Sequence, residues 1–334
     1  MKKLISVALA LLCVLSLFSQ PVKEESDENV RTLTLYAYDT FCGEWGSESS
    51  VIPAFEEKTG IKVNVVSCGT TSEMINRLLM EGENTPCDVI LGVSDDKAEA
   101  VYSALEAFDT PLVENIDERL LFDSTKRLLP FDWGTFAFVF DTESTLEEPS
   151  SLWDLTKDEY KGKVILIDPR TSSVGLGLLL WTYNALGEDW IEWWRKMEEN
   201  ALVIASGWSS AYGLFTEGEA PIVISYTTSP VYHVMNENTT RYKALIFEEG
   251  HEATIEGIGI VKGTKHRAEA EEFVSYILSD AQETLAVTNS MYPALSTTEL
   301  PDAYEYAPVP EKFYASGLLD TSSLLASWSS LIAQ

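Results

Sequence analysis

The chain has 334 residues, of which 45% are hydrophobic and 23% charged, a composition typical of globular proteins and a length sufficient for two domains with separate cores. Its 53 acidic residues outnumber its 23 basic residues and give a net charge of −30 at pH 7. A surface of this sign repels nucleic acids and anionic membranes, so we exclude nucleic-acid binding.

The first twenty residues predict an export signal. Two lysines precede an apolar stretch from Leu4 to Phe18, which has the length of a signal-peptide core and is short for a membrane-spanning helix. We expect a signal peptide at 1–19, cleaved near Ser19, and a disordered leader at 20–30. Cys13 follows two leucines rather than a small residue, so a lipid anchor is the less favoured alternative. The mature chain is expected to be periplasmic or otherwise extracytoplasmic.

Short apolar runs alternate with amphipathic stretches from residue 31 onward, which indicates an α/β protein with helices on both faces of its sheets. Helices are predicted at Val51–Thr59 and Ser72–Glu81, where Gly60 and Gly82 would end them in the left-handed conformation. The predicted strands are Thr32–Ala37, Lys62–Ser67, Asp88–Val93, Phe136–Phe140, Val164–Asp168, Leu202–Ala205, Pro221–Ser225, Lys243–Phe247 and Ile255–Val261.

Two patterns that resemble ligand-binding motifs are better explained by packing. Trp190, Trp193 and Trp194 have the spacing of one helix face, where aromatic rings most often pack against a sheet. The Gly-Leu-Gly tripeptide at 175–177 lacks the third glycine and the preceding strand of a dinucleotide-binding loop. It therefore predicts close packing of a helix.

Common catalytic and metal-binding signatures are absent from the sequence. There is no GxxxxGK[ST] phosphate loop, no HExxH motif and no GxSxG elbow. Only three histidines occur and no two cysteines have CxxC spacing, which disfavours a metal cluster. Beyond the signal peptide, Cys42, Cys68 and Cys87 can form at most one disulfide. We therefore expect no catalytic residues, no cofactor and no metal site.

Aromatic and small hydroxyl residues follow four of the predicted strands. The four junctions are Tyr36–Asp39, Asp168–Ser173, Ser206–Trp208 and Ser225–Pro230. Ligands bind at such carboxyl ends of strands in open α/β sheets, where helix N-termini also offer free N–H groups. The flat rings available are Tyr38, Trp208, Tyr226 and Tyr232. They suit a planar heterocycle, particularly a cationic one.

Six blocks of sequence are distinctive in their order: Tyr36–Asp39 with Trp45-Gly46, Pro130–Gly134, Asp168–Ser172, Gly175–Trp181, Gly207–Gly213 and Ser225–Pro230. With these blocks, the chain resembles the thiamine-binding periplasmic proteins, the substrate-binding components of thiamine ABC transporters, from about Leu33 to Tyr292. The segment Ser150–Val164 additionally resembles a broader signature of two-domain solute-binding proteins.

The resemblance implies a type II-like periplasmic-binding-protein fold, in which two α/β lobes are joined by a two-strand hinge and close on the ligand. The crossing strands are expected near Pro130–Phe140 and Glu252–Val261. The expected lobes are 31–131 plus about 256–290, and 132–255 plus about 291–334. The resemblance also implies a monomer that captures thiamine or thiamine phosphates and delivers them to the permease subunits of an ABC importer.

The resemblance also implies a set of binding residues. They are an aromatic box of Tyr38, Trp208, Tyr226 and Tyr232, a hydroxyl at Ser172 for the hydroxyethyl or phosphate end of the ligand and, as further candidates, Thr70 and Thr71.

One position departs from the family pattern. The family commonly reads Asn-Trp-Met-Tyr-Pro where this chain has Asn-Ser-Met-Tyr-Pro at 289–293, so Ser290 stands where a stacking indole is expected. Three consequences are open: weaker binding, replacement of the indole by another ring such as Tyr292, or a ligand related to thiamine.

Two alternative functions use the same fold. Thiaminase-like enzymes resemble these receptors and use a cysteine nucleophile, a role open to Cys42 or Cys68. A ferric-ion receptor would bind its metal through the phenolates of Tyr226 and Tyr232 and would be coloured. Capture of thiamine without chemistry is the leading hypothesis.

Overall fold

Residues 31–43, 46–317 and 320–332 are described by a computed structural model of the chain. The expected signal peptide, the leader, Cys13 and Trp45 lie outside the described residues. Among the helices that are described, none combines the length and the apolar character that a bilayer crossing requires.

Twelve strands in the described part of the chain form one curled sheet with mixed pairing. They are β1 (Thr32–Ala37), β2 (Lys62–Ser67), β3 (Val89–Ser94), β4 (Leu105–Glu106), β5 (Leu129–Asp141), β6 (Val164–Ile167), β7 (Ala201–Ala205), β8 (Ile222–Tyr226), β9 (Tyr242–Ala244), β10 (His251–Val261), β11 (Tyr292–Pro293) and β12 (Phe313–Tyr314). The main order is β2-β1-β3-β10-β5-β8-β6-β7. Parallel pairs lie at both ends, and antiparallel pairs around β10 and β5 lie between them.

Eleven α-helices connect the described strands. They are α1 (Asp39–Cys42), α2 (Glu48–Thr59), α3 (Thr71–Glu81), α4 (Ala98–Val101), α5 (Ser173–Leu186), α6 (Trp190–Asn200), α7 (Trp208–Thr216), α8 (Ser229–Tyr232), α9 (Arg267–Ile277), α10 (Gln282–Asn289) and α11 (Thr321–Ile332). Gly60 ends α2 in the left-handed conformation, as predicted. Gly82 ends α3 with a positive φ of 54° but a ψ of −132°, so the prediction of a left-handed helical conformation is wrong there.

The two longest strands, β5 and β10, connect the ends of the sheet. β10 pairs with β3 on one side and with β5 on the other, and the second half of β5 pairs with β8. All thirteen residues of β5 are buried, as expected for a strand with neighbours on both edges and helices over its faces. Both strands lie where the crossing segments were expected. The residue boundaries of the two lobes stay a prediction.

Large aromatic residues fill the core around β5, β6 and β8. Trp193 and Trp194 of α6 are fully buried and Trp190 is 6% exposed, so the predicted packing role of this helix face is confirmed. Trp194 meets Trp328 of α11 edge to face, with ring centroids 5.5 Å apart. A separate core packs β1 and β3 against α2, α9 and α10.

Close packing of α5 on the sheet explains the glycines at 175–177. A Cβ built on Gly177 would overlap the ring of Phe136 in β5, and one built on Gly175 would approach the Asp168 carbonyl to 2.5 Å. The packing interpretation of this tripeptide is confirmed.

We expect Gly177→Ala to lower the free energy of unfolding by about 1–3 kcal/mol, because the added methyl group must displace the Phe136 ring. Gly213→Ala in α7 is the matched control, since a Cβ there meets nothing within 4 Å and the substitution should stabilise the helix by about 0.5–1 kcal/mol. Urea denaturation measures both effects. Equal shifts for the two variants would contradict the packing argument.

Candidate functional site

A pair of carboxyl side chains occupies the centre of the sheet. Asp132 of β5 and Glu256 of β10 are direct partners in the antiparallel ladder, so both side chains lie on one face. Asn289 Nδ2 donates a hydrogen bond to Asp132 Oδ2 at 2.8 Å, whereas the buried Oδ1 has no hydrogen-bond partner among the described residues. Among the described residues, neither Asp132 nor Glu256 forms an ion pair.

Tyr38, which follows β1, contacts this pair directly. Its hydroxyl donates a hydrogen bond to Glu256 Oε2 at 2.9 Å. Its ring lies against Gly92 of β3, where a Cβ would overlap the ring and where the φ of 91° favours glycine. Thr71 donates its hydroxyl to the Gly92 carbonyl at 3.0 Å. The backbone that supports the Tyr38 ring is thereby fixed from α3.

Tyr226, at the end of β8, lies on the same face of the sheet. Its ring packs on Phe136 with centroids 5.0 Å apart, and a Cβ on Gly134 would lie 3.4 Å from its Cδ1. Gly134 and Phe136 follow Asp132 at intervals of two along β5, so the three share one face. Ser173, the first residue of α5, lies close enough to the Tyr226 hydroxyl to lower its pKa, against the larger raising effect of burial.

Trp208 begins α7 and is 40% exposed. Its indole N–H donates to Ser225 Oγ at 2.8 Å, and the Ser225 hydroxyl bonds to Ser229 Oγ at 2.7 Å. Ser229 Oγ in turn accepts from the Tyr226 backbone N–H at 3.2 Å. Tyr212 stacks on the indole, with ring centroids 5.0 Å apart and planes at 22°. The indole is therefore held in position while part of it stays open to solvent.

Burial and mutual repulsion oppose ionisation of the carboxyl pair. Burial raises the pKa of Glu256 to about 7, against the lowering effect of the hydrogen bond from Tyr38. Burial and then the charge of Glu256 raise the pKa of Asp132 well above its ordinary value. Burial, together with both carboxylates, also raises the pKa of the Tyr38 and Tyr226 phenols. Without a counter-charge, the pair retains a proton near neutral pH.

The other expected binding residues have varied surroundings. Ser172 is the N-cap of α5, and its side chain makes no capping bond. Thr70 caps α3 by accepting a hydrogen bond from the Glu73 backbone N–H at 3.3 Å. Tyr232 is 53% exposed, with its ring edge-on to His233. Within the described residues, neither Thr70 nor Tyr232 shares a hydrogen bond or ring contact with the rings of Tyr38, Trp208 or Tyr226.

Ser290 ends α10 in the left-handed conformation, with φ 52° and ψ 47°. Its neighbours reach the carboxyl face, because Asn289 donates to Asp132 and a Cβ on Gly134 would lie 2.9 Å from Met291 Sδ. Tyr292 is 4% exposed and packs on Trp133. Its ring is therefore part of the core and does not replace the missing indole in this structure.

The cysteines lack the features of a nucleophile. Cys42, Cys68 and Cys87 are free thiols. Burial, followed by the nearby Glu48 carboxylate, raises the pKa of Cys42 to about 12, and burial raises the pKa of Cys68 despite the opposing effect of Arg77. Both thiols stay protonated at neutral pH and are weak nucleophiles. The described residues contain no group of three or more His, Cys, Asp or Glu placed to hold a metal ion.

Asp132 and Glu256 are the candidate site residues that sequence reasoning missed. Asp132 occurs within the quoted block Pro130–Gly134, but its role was not assigned. A single carboxyl in an otherwise apolar strand is the signal that would have found it, because a charge is buried there only with a specific reason. Glu256 likewise interrupts an apolar run in Ile255–Val261.

Two long antiparallel strands connect two groups of parallel strands in this sheet. Aromatic and carboxyl side chains gather on one face of the connecting strands. This arrangement defines a two-lobed solute-binding protein. The chain belongs to the family of bacterial extracellular solute-binding proteins, whose family profile matches residues 50–310.

Several proteins similar to this chain are named as thiamine-binding proteins. The chain is 36% identical over 291 residues to the thiamine-binding periplasmic protein of Brucella suis biovar 1, covering 84% of this chain and 85% of the relative. It is 35% identical over 312 residues to that of Escherichia coli K12, covering 90% and 89%. A solved periplasmic thiamin binding protein matches with a TM-score of 0.78 and 31% identity over 91% of this chain and 97% of that chain. The resemblance expected from the six sequence blocks is confirmed.

We expect Glu256→Gln to raise the melting temperature at pH 8 but to change it little at pH 5. Because the folded pKa of Glu256 is about 7 and that of an unfolded glutamate about 4.3, the folded state binds more protons between these values. Stability is therefore lost as pH rises through this window, by about 1.4 kcal/mol for each unit of pKa difference.

Differential scanning fluorimetry from pH 5 to pH 8 measures this effect, with Glu283→Gln on the exposed face of α10 as the control. Each kcal/mol corresponds to a shift of about 2–4 °C. Parallel pH profiles for wild type and Glu256→Gln would show that Glu256 is ionised without penalty.

Proposed function

We propose that this protein captures thiamine outside the cytoplasm and delivers it to the permease subunits of an ABC importer. Its relatives named as thiamine-binding periplasmic proteins, 35–36% identical to it over most of both chains, support this assignment. The observation that carries it is the gathering of Tyr38 and Tyr226 around a carboxyl pair to which the described residues supply no positive charge. Thiamine combines a permanently cationic thiazolium ring with a flat aminopyrimidine, which suits aromatic faces and a negative potential.

The N-terminus of α5 suits the hydroxyethyl or phosphate end of the ligand. Ser172 keeps its hydroxyl free of capping, and the first backbone N–H groups of a 14-residue helix favour an anion. Ser173 contacts Tyr226, so an anion at this terminus would lie close to a ring held by Tyr226. This arrangement supports binding of thiamine phosphates as well as thiamine.

The topology of the sheet suits capture of a ligand by closure of two lobes. We assign lobe 1 to 31–131 plus about 256–290 and lobe 2 to 132–255 plus about 291–334, with β5 and β10 as the hinge. Closure would bring Trp208 of lobe 2 and Tyr38 of lobe 1 onto one ligand. Export through the N-terminal signal would place this monomeric receptor in the periplasm.

The two alternative functions have less support. The ferric iron-binding protein A of Mannheimia haemolytica matches with a TM-score of 0.73 at 20% identity, which concerns the fold alone. A ferric site needs phenolates, and burial beside two carboxylates raises the pKa of Tyr226. A thiaminase needs a reactive thiol, whereas burial raises the pKa of Cys42 to about 12.

We expect thiamine to bind the purified protein and to quench its tryptophan fluorescence through Trp208. Trp208→Ala should remove most of the quench and weaken binding by about 1–3 kcal/mol, roughly 5- to 150-fold. Trp208→Phe should remove the quench but retain much of the affinity, because a ring remains. Trp153→Phe, at a tryptophan whose ring centroid lies 5.3 Å from Lys196 Nζ of α6, should change neither.

Calorimetry with thiamine, its monophosphate and its diphosphate gives the affinities. No measurable binding of thiamine at millimolar concentration would overturn the proposed function. Full quench and full affinity in Trp208→Ala would remove Trp208 from the site.

We expect Ser290→Trp to tighten thiamine binding by about 1–2 kcal/mol, as one added stacking face would, while lowering stability. The loss of stability follows from the left-handed conformation of Ser290, which costs a bulky residue about 1–2 kcal/mol. Ser290→Gly is the control, since it relieves this strain without adding a ring. Weaker thiamine binding by Ser290→Trp in calorimetry would instead indicate a pocket reshaped for another ligand.

A further inference from the structure

The carboxyl pair is incomplete as a structural element. Asp132 is fully buried, and its Oδ1 has no hydrogen-bond partner among the described residues. Buried polar atoms without partners destabilise a protein and are rare in cores that serve only folding. The direct ladder partner of Asp132 is a second carboxyl, Glu256, rather than a base. The described residues supply no partner for this atom, which leaves it open to a bound group.

The surroundings of the pair define the charge of that group. Among the described residues, the side chains facing it or next to it are Tyr38 after β1, Ser94 from β3, Tyr226 from β8, Asn289 from α10 and Tyr304 from the Asp302–Tyr306 turn. None of these five carries a positive charge. Asp95 and Asp96 directly follow Ser94; Lys97 pairs with Asp96 at 2.6 Å, and burial raises the pKa of Asp95 to about 7. The immediate surroundings of the carboxyl pair are therefore suited to a cation.

We propose that Asp132 and Glu256 select the ligand by its charge: a flat organic cation held against Tyr38 and Tyr226 supplies the missing counter-charge, and the pair releases a proton to solvent as the cation binds. This inference rests on the proposed function. It identifies Asp132 and Glu256 as the residues that recognise the charge of the thiamine ring as well as its shape.

The proton release follows from the geometry of the pair. Two carboxyls facing each other across one ladder step repel when both are ionised, so one proton stays on the pair without a cation. A fixed positive charge beside them favours the fully ionised form. Burial raises the pKa of Glu256 to about 7, which places the titration in the range where binding is normally measured.

The test compares thiamine with 3-deazathiamine, in which carbon replaces the charged ring nitrogen. Both compounds carry the same aminopyrimidine, so any proton moved by that ring contributes equally to both. Calorimetry at pH 6.5 in buffers of different ionisation enthalpy gives affinity and proton release together. We expect wild type to prefer thiamine by about 10- to 100-fold and to release about one proton more with thiamine than with 3-deazathiamine.

Glu256→Gln should lose most of this difference. The glutamine amide still accepts a hydrogen bond from the Tyr38 hydroxyl, but it cannot ionise. The preference for thiamine over 3-deazathiamine should therefore fall to within about threefold, and the extra proton release should disappear. Asp132→Asn is a second variant with the same expectation. Glu252→Gln is the matched control, because Glu252 is a buried glutamate of the same strand whose oxygens accept from Ser316 N and Asn184 Nδ2. It should keep the wild-type preference.

The outcomes separate the two proposals. Equal affinity of wild type for thiamine and 3-deazathiamine, or an unchanged preference and proton release in both Glu256→Gln and Asp132→Asn, would overturn charge selection and leave thiamine capture standing. Binding of neither compound by folded wild-type protein would overturn both. Loss of the preference in Glu252→Gln as well would also overturn the inference, because it would show a general effect of negative charge in the core.

Discussion

The pairing of β5 with β10 is the interaction on which the rest of this structure depends. It connects the two parallel strand groups, and its register sets Asp132 opposite Glu256. A shift of one residue in either strand would place the two carboxyls on opposite faces of the sheet and so separate them. The same ladder therefore fixes the architecture of the sheet and the electrostatics of the site.

Local pattern predicted much of the secondary structure. β1 and β2 have the predicted bounds because each is a short apolar run between clear breaks. β5 begins at Leu129 rather than at the predicted Phe136, because Pro130, Asp132 and Gly134 interrupt the alternation that indicates a strand. These interruptions belong to the candidate site: the carboxyl faces Glu256, and the glycine leaves room for the Met291 side chain, whose Sδ would lie 2.9 Å from a Cβ there.

The candidate site was predictable only in part. Tyr38, Trp208 and Tyr226 were selected as candidates because ligands bind at the carboxyl ends of strands, a rule that needs no knowledge of register. The structure places Tyr38 and Tyr226 at the carboxyl pair. Proximity of Asp132 to Glu256 depends on a pairing between segments far apart in sequence, which local periodicity does not encode. Backbone conformation was not predictable either, because the residues around Ser290 do not indicate a left-handed conformation beside the carboxyl face.

The carboxyl pair lies where the charge of a ligand would affect the arrangement of the two strand groups. Asp132 and Glu256 lie on the two strands that join the ends of the sheet, so the charge state of the pair changes where relative movement of the strand groups would originate. Tyr38 reaches the pair from the β1 side and Tyr226 from the β8 side. In the proposed complex, a cation between these rings would replace the retained proton as the partner of the pair and would contact both groups at once. Proton release and closure would then be linked, because the cation that displaces the proton is the body that the two groups enclose.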